Sequence, residues 1–320
     1  MSLVPQKKIH RVALGLILLL SLAMRLYGIK WGLPDETHLL SYHVDERNIF
    51  YAISNMNPSE LDFNPHYFIY PTFHIYLFLA LIKITGLQVA PVAATILLGR
   101  LLTVFFGVLS VYVISLIGKE IYGDELGLIA SAILAITPVH VIHSHFLTTD
   151  VPVTFWILTS ILFCFKILSS KETRWYIFAG IAGGFAVSTK YNAGLIMLPI
   201  LTSHVLAHWK PGKGLSVLFS KKIFFSSVLF ISIFFLTNPY VILAFHEFKR
   251  DVTLITLYLN TINPEWFDTG NGWIYHMKSS LYFGLGGPLL TLSLFGAGIS
   301  LWKKRLQALL ILSFLIPYYI

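Results

Sequence analysis

Nine long apolar stretches set the limits on what this 320-residue chain can become. They run over residues 12–27, 101–118, 126–142, 151–168, 175–187, 193–209, 223–245, 284–302 and 306–320. Most are 16–23 residues long, close to the ~20 residues a helix needs to cross the hydrocarbon of a bilayer. They do not alternate polar and apolar residues as the strands of a membrane barrel do. Only 12% of residues are charged and 56% are hydrophobic, against about 25% charged in soluble domains. The low charge argues against a soluble globular enzyme, and the hydrophobicity excludes a disordered chain. The single cysteine, Cys164, excludes an intramolecular disulfide and any multi-cysteine metal site. It is expected to be a small membrane-facing side chain. The first run lacks the small-residue cleavage site of a secretory signal and reads as a retained helix. The last run is apolar up to Ile320, so the chain is expected to be a fragment cut within a span.

A tenth stretch, 72–87, is shorter on apolar character because it carries His74 and Lys83. The positive-inside rule decides its placement. Lys7, Lys8 and Arg11 put the amino terminus in the cytoplasm. If 72–87 spans, the basic loops at 171–174, 210–222 and 303–305 all fall outside; if it lies on the outer face, all three fall inside. It is therefore read as an amphipathic surface helix. This arrangement places 14 of the 23 Lys and Arg, but only 4 of the 15 Asp and Glu, on the cytoplasmic side. The net charge of +8 then reflects topology, and no nucleic-acid partner is needed to explain it. One transmembrane module over residues 1–320 follows, with a long outer loop at 28–100 and a second at 246–283.

Ionisable groups at membrane depth are costly, which makes them functional candidates. Asp45, Glu46, Arg100, Asp150 and Lys190 all fall at outer helix ends in this topology. Asp45 and Glu46 precede a helix-compatible stretch, where a helix dipole favours ionised carboxylates; either catalysis or simple capping would place them there. Asp35 and Glu36 form a similar pair in a turn-like setting, which reads as structural. Asp150 followed by Pro152 is a good helix start, or else a ligand or orienting group for a second substrate or a metal ion. Arg100 and Lys190 could snorkel to headgroups or bind a phosphate as a pair. His143 and His145 lie two apart and would not share a helix face, so interfacial hydrogen bonding is the plainer role. No ligand spacing demands a divalent metal, and the cofactor is unknown.

Six short motifs in order resemble the GT-C superfamily of integral-membrane glycosyltransferases, in the branch of protein O-mannosyltransferases and the aminoarabinose transferase of lipid A. They are Arg25-Leu26-Tyr27-Gly28 followed by Trp31-Gly32-Leu33-Pro34; His43-Val44-Asp45-Glu46, with Val44 in place of a proline; Asn64-Pro65-His66-Tyr67-Phe68 with Tyr70-Pro71; Gly99-Arg100-Leu101; Thr148-Thr149-Asp150; and Thr189-Lys190-Tyr191-Asn192. They cover about residues 20–200. The resemblance implies an all-α, polytopic GT-C-type helix bundle with amphipathic juxtamembrane helices in the first outer loop.

It also implies a polyprenyl-phosphate sugar donor, transfer with inversion, and a protein, lipid or glycan acceptor at the extracytoplasmic face of a multi-pass membrane protein, in a prokaryotic plasma membrane. Glycosyl transfer passes through an oxocarbenium-like transition state. A phosphate leaves without protonation, so one base is enough. Asp45 is the expected base, with Glu46 orienting the acceptor or Asp45 itself. Arg100 and Lys190 are the expected ligands of the donor phosphate, whose negative charge grows during reaction. Asp150, His145, Tyr70, Tyr191 and Asn192 are expected to bind or orient substrate, alongside membrane lipids. The alternative is a transporter or flippase for a polyisoprenoid or anionic solute. The polar break at 188–192 suits that alternative; the one-sided charges and lack of an internal repeat do not.

Overall fold

The computed structural model describes residues 4–87, 90–212, 214–261 and 270–319. Part of the second outer loop, 262–269, and the last residue, Ile320, lie outside the described residues. Helix dominates, and no strand forms among the described residues. The first helices are α1 (Val4–Leu26), α2 (Val44–Ser54), α3 (Phe73–Thr85), α4 (Val92–Tyr122), α5 (Asp124–Ile136) and α6 (Pro138–His143). Then come α7 (Asp150–Ser170), α8 (Thr173–Thr189), α9 (Met197–His208), α10 (Lys221–Thr237), α11 (Tyr240–Leu243) and α12 (Phe245–Thr261). The chain ends in α13 (Gly272–Tyr275), α14 (Tyr282–Leu285), α15 (Gly287–Lys303) and α16 (Arg305–Tyr319).

Among the described residues, three helices are long and apolar enough to cross a membrane unaided: Lys7–Leu26 within α1, Val92–Tyr122 and Asp150–Ser170. The bent pair Gly272–Leu285 and Gly287–Lys303, which turns through 110°, makes a fourth if counted as one span. Runs 175–187 and 306–320 lie in the unbroken helices α8 and α16, of 17 and 15 residues; the other expected runs are helical but depart from their hydropathy bounds at identifiable residues. Run 126–142 breaks between α5 and α6 at Pro138, because proline lacks the N–H and restricts the residue before it. Run 223–245 stops at Thr237, ahead of Asn238-Pro239. Run 284–302 bends at Gly286, just before Pro288. Run 193–209 starts earlier, as a 3-10 turn over Tyr191–Ile196 that passes directly into α9.

α4, α7 and α8 form the centre of the bundle, with α5 on α4, α10 on α8, and α9 on α7. α1 lies against α5 and α4, and α16 against α9. The core contains Val113, Ile157, Ile161, Phe165, Ile196 and Ile200. Cys164 is fully buried in this core, which corrects its expected membrane-facing position: its stretch of α7 is sandwiched by neighbouring helices. α8 and α10 approach closely because Gly180 and Gly184 form a small-xxx-small face. A Cβ at Gly184 would lie 2.7 Å from the Ile233 side chain, and one at Gly180 would strike the Ser226 carbonyl. Gly180→Ala is therefore expected to destabilise the protein by about 1–3 kcal/mol through overpacking; thermal denaturation in detergent measures it.

α3 has 13 residues, or ~20 Å of helix, short of the ~30 Å hydrocarbon core. It packs on α2, α4 and α8 and buries His74, Ile75, Phe78, Leu79 and Ile82. One buried residue fixes where it starts. Asn238, beyond the end of α10, donates from Nδ2 to the Phe234 carbonyl (2.7 Å) and accepts the Thr72 N–H at Oδ1 (2.6 Å). The Thr72 hydroxyl donates to the Thr237 carbonyl (2.9 Å). The end of α10 and the start of α3 thus satisfy each other's unpaired backbone groups.

Candidate active site

The two adjacent carboxylates at the start of α2 have opposite environments. His43 caps the helix, its Nδ1 accepting the Asp45 N–H (3.3 Å), so neither carboxylate serves as the cap. Asp45 and Glu46 occupy the first turn, where the dipole favours their charge. Helical rotation then points Glu46 inward and leaves Asp45 half-buried at the surface of the loop.

Glu46 is 0% exposed and Arg100, from α4, 1%. Arg100 Nε donates to Glu46 Oε1 and Nη2 to Oε2, both at 2.8 Å. Glu46 also accepts the Leu147 N–H (2.7 Å) and the Ser41 hydroxyl. The remaining arm of Arg100, Nη1, donates to the carbonyls of Ile29 (2.5 Å) and Trp31 (2.7 Å), and Phe146 lies 5.4 Å from the guanidinium carbon. The α4 surface can approach this loop because residue 99 is glycine; a Cβ there would sit 2.6 Å from the Leu147 side chain. The expected role of Arg100 as a phosphate ligand does not fit this geometry, and of the two roles expected of Glu46 it suits holding Asp45 in place rather than orienting an acceptor. Each is buried and occupied by the other.

Asp45 Oδ1 accepts the Tyr70 hydroxyl at 2.8 Å, and no hydrogen bond from a described residue reaches Oδ2. Burial, and then the hydrogen bond to Asp45, push the Tyr70 phenol well above its ordinary pKa, so it remains a donor. Tyr67 lies beside it, ring centroids 6.1 Å apart, with its hydroxyl buried and without a hydrogen-bond partner. Asp150, in the first turn of α7, accepts the Lys190 ammonium at 2.7 Å. Lys190 ends α8 in an extended conformation. Burial opposes its charge, but Asp150, with smaller help from Tyr318 and Asp45, holds its pKa above the ordinary lysine value. Asp150 in turn acts electrostatically on Tyr70. Asp45 of α2 thus pairs with Tyr70 of the 61–72 loop, and Asp150 of α7 with Lys190 at the end of α8, with a small electrostatic influence of Asp150 on Tyr70 and of Asp45 on Lys190.

Residues 190–192 reach three different elements. Lys190 meets α7; the Tyr191 hydroxyl donates to the Phe68 carbonyl (3.2 Å); Asn192 Nδ2 donates to the Tyr318 hydroxyl of α16 (3.2 Å). The Tyr191 and Asn192 side chains are thus each held by other parts of the protein. His145 is drawn elsewhere, its Nε2 2.8 Å from the Tyr27 carbonyl past the end of α1. That bond satisfies a helix end and ties His145 to α1 rather than to the Asp45 or Lys190 pairs. Asp35 holds its own turn through Thr37 and His38. Among the described residues, no group of three or more His, Cys, Asp or Glu side chains comes together as a metal site.

The sequence reading missed several contributors. Asp251 of α12 accepts the Phe68 N–H at 2.9 Å, and Glu247 meets His66 Nδ1 at 2.7 Å and Asn64 Nδ2 at 3.2 Å. These contacts fasten the 61–72 loop to the first turns of α12. Asn64 and His66 stand in one of the quoted motifs, but nothing local marks Glu247 or Asp251 as their partners. Arg25 is likewise a buried structural residue, donating to the Ala135 carbonyl (3.0 Å), the Ser144 hydroxyl (3.2 Å) and His140 Nδ1 (2.8 Å).

This helical architecture is of the GT-C class of integral-membrane proteins. A family model described as dolichyl-phosphate-mannose-protein mannosyltransferase matches residues 77–242, just over half of the chain. The chain belongs to that family. The matched region contains Arg100, Asp150 and Lys190; Asp45 lies before it. No curated protein matches the sequence. Among solved structures, the oligosaccharyltransferase of Archaeoglobus fulgidus, in complex with Zn and sulfate, superposes with a TM-score of 0.62 at 12% identity. The match covers 96% of this chain and 45% of that one. Its apo form gives 0.62 at 13%, covering 96% and 47%. The same organism's AglB, in complex with an inhibitory peptide and a dolichol-phosphate, gives 0.54 at 15%, covering 96% and 39%. The likeness is one of fold, and the chain spans less than half the length of each of these proteins.

Proposed function

We propose that this protein transfers a sugar from a polyprenyl-phosphate donor to an acceptor hydroxyl at the extracytoplasmic membrane face, with inversion. One observation carries the reading: of two neighbouring carboxylates, Glu46 is consumed by an internal ion pair, while Asp45 is half-buried, held at one oxygen by Tyr70, with no hydrogen bond from a described residue at the other. In the proposed step the acceptor oxygen forms a bond to the anomeric carbon as its proton passes to Asp45 Oδ2. The bond from that carbon to the phosphate oxygen breaks, and its electron pair leaves with the phosphate. The Tyr70 hydroxyl, fixed on Oδ1, aims the carboxylate. Glu46 and Arg100 are positioning residues that anchor the first turn of α2 against α4 and the 144–147 loop.

Lys190 faces the developing negative charge in this proposal. Its partner Asp150 keeps it protonated and oriented, and both remain about one-third exposed. A preorganised cation of this kind stabilises charge that grows in the transition state. Lys190→Ala is expected to raise the KM for the lipid-phosphate donor about ten-fold or more, from the loss of one charged hydrogen bond. Unchanged donor affinity would remove Lys190 from the phosphate site. The overall activity is tested by release of polyprenyl phosphate from a panel of polyprenyl-phosphate sugars by the purified protein with acceptor present. Release with any sugar supports transfer; donor crossing the bilayer intact points to transport.

A further inference from the structure

At the opposite end of the bundle from Asp45, α1, α4 and α5 enclose a pocket of about 290 Å³. Its charged lining includes Lys7 and Arg11 of α1, Lys119 of α4 and Asp124 of α5. Lys119 and Asp124 pair at 2.7 Å, but both are about half exposed, and such exposed pairs contribute little. Lys7 and Arg11 have no ion pair among the described residues, so the pocket holds three cations against one carboxylate. The two α1 cations stand one turn apart on the same helix face. Leu14 continues that face into the pocket, where Leu116 of α4 also lines it. One stripe therefore passes from charged to apolar within two turns, in the direction of the membrane interior. The rest of α1 is thinly covered by protein: only 11% of its spanning window is buried.

An inorganic anion would satisfy the cations and leave the apolar half of the pocket without a partner. A molecule with a phosphate and an attached hydrocarbon chain matches both halves. We propose that this pocket seats the phosphate of an anionic phospholipid from the cytoplasmic leaflet, with its chains along Leu14 and Leu116. The bound lipid bridges α1 to α4 and α5, adding contacts to a helix that protein covers thinly. Basic pockets between spanning helices on the cytoplasmic side are suited to such headgroups. The proposal relies on the positive-inside orientation used above. It does not depend on Asp45 or on any sugar donor, since α1 separates the two sites by ~34 Å of helix.

The test uses the full chain reconstituted in phosphatidylcholine vesicles containing a minor fraction of phosphatidylglycerol, then extracted in mild detergent. Phosphatidylglycerol is expected to co-purify above its bulk fraction and to raise the melting midpoint, with neither effect from phosphatidylcholine or inorganic phosphate. The variant Lys7→Gln with Lys119→Gln keeps Lys8 and Arg11 to orient α1. It is expected to lose the enrichment, by about five-fold for each cation removed. The control Lys303→Gln with Lys304→Gln removes the same charge from another loop and is expected to retain it. Equal loss in both variants reduces the effect to general surface charge and overturns the pocket. So does the absence of enrichment, or stabilisation by inorganic phosphate alone. If the pocket variant does not insert, potassium chloride titration of the unaltered protein replaces it: enrichment falls with salt if cations hold the lipid, and salt-independent enrichment rejects the site. Polyprenyl-phosphate release, assayed on the same samples, reports separately on the transfer reaction.

Discussion

Asp45→Asn is expected to lower turnover by about 10²–10⁴-fold, the usual contribution of a positioned general base, while the protein still inserts and folds. The amide is nearly isosteric and its Oδ1 can still accept the Tyr70 hydroxyl, so the geometry at 2.8 Å is retained. What disappears is the proton acceptor at Oδ2. The lost charge in the first turn of α2 costs about 0.3–1 kcal/mol through the helix dipole, too little to unfold a bundle of this size. Polyprenyl-phosphate release at saturating donor measures the effect, with the melting midpoint checked on the same preparation. Turnover near that of the unaltered protein would remove Asp45 as the base. Because donor binding rests elsewhere, the loss belongs in kcat, and an increase confined to KM would argue for a binding role instead.

Arg100→Ala is expected to act on the fold rather than on donor affinity. Removing the guanidinium leaves Glu46 ionised and unpaired at 0% exposure, which costs about 3–5 kcal/mol in comparable buried pairs. It also leaves the Ile29 and Trp31 carbonyls without their donor. The expected readout is a much reduced yield of folded protein in detergent and a lowered melting midpoint. Arg100→Lys should rescue little, because a single ammonium cannot reproduce the two parallel bonds to Glu46 together with two carbonyl contacts. Pairing Arg100→Met with Glu46→Leu should recover part of the stability, since the buried charge is then gone. If Arg100→Ala instead folds normally and only weakens donor binding, Arg100 is a phosphate ligand after all.

The contrast between these two variants shows where the sequence is legible. The apolar runs reveal a helical membrane bundle because their length is matched to a bilayer, and the order of short motifs points to the family. Helix ends are less visible: α5, α10 and α14 stop where Pro138, Pro239 and Pro288 lie just ahead, while hydropathy alone runs straight through. Asp45 and Glu46 look equivalent in the sequence. Their separation depends on which face of α2 meets α4, and on the Leu147 N–H and the Ile29 and Trp31 carbonyls. Those backbone groups are chemically alike at every position, so no local pattern could have identified them. Lys190 and Asp150 carry recognisable motifs, but their pairing across 40 residues emerges only from the packing of α7 on α8. Cys164 shows the same limit: an apolar run identifies a span without telling its lipid face from its buried one.

The anchoring of Glu46 also sets a timetable for biogenesis. Ribosomal synthesis delivers residue 46, then residue 100, and only later residue 147. Glu46 and Arg100 can meet once α4 has entered the membrane, but one contact to the carboxylate is missing until the Leu147 N–H arrives. The loop that carries Glu46 therefore gains its last contact only after α5 and α6 have been laid down behind it. A nascent chain halted before residue 147 would carry this loop with that contact unmade, and translation through the start of α7 would complete it.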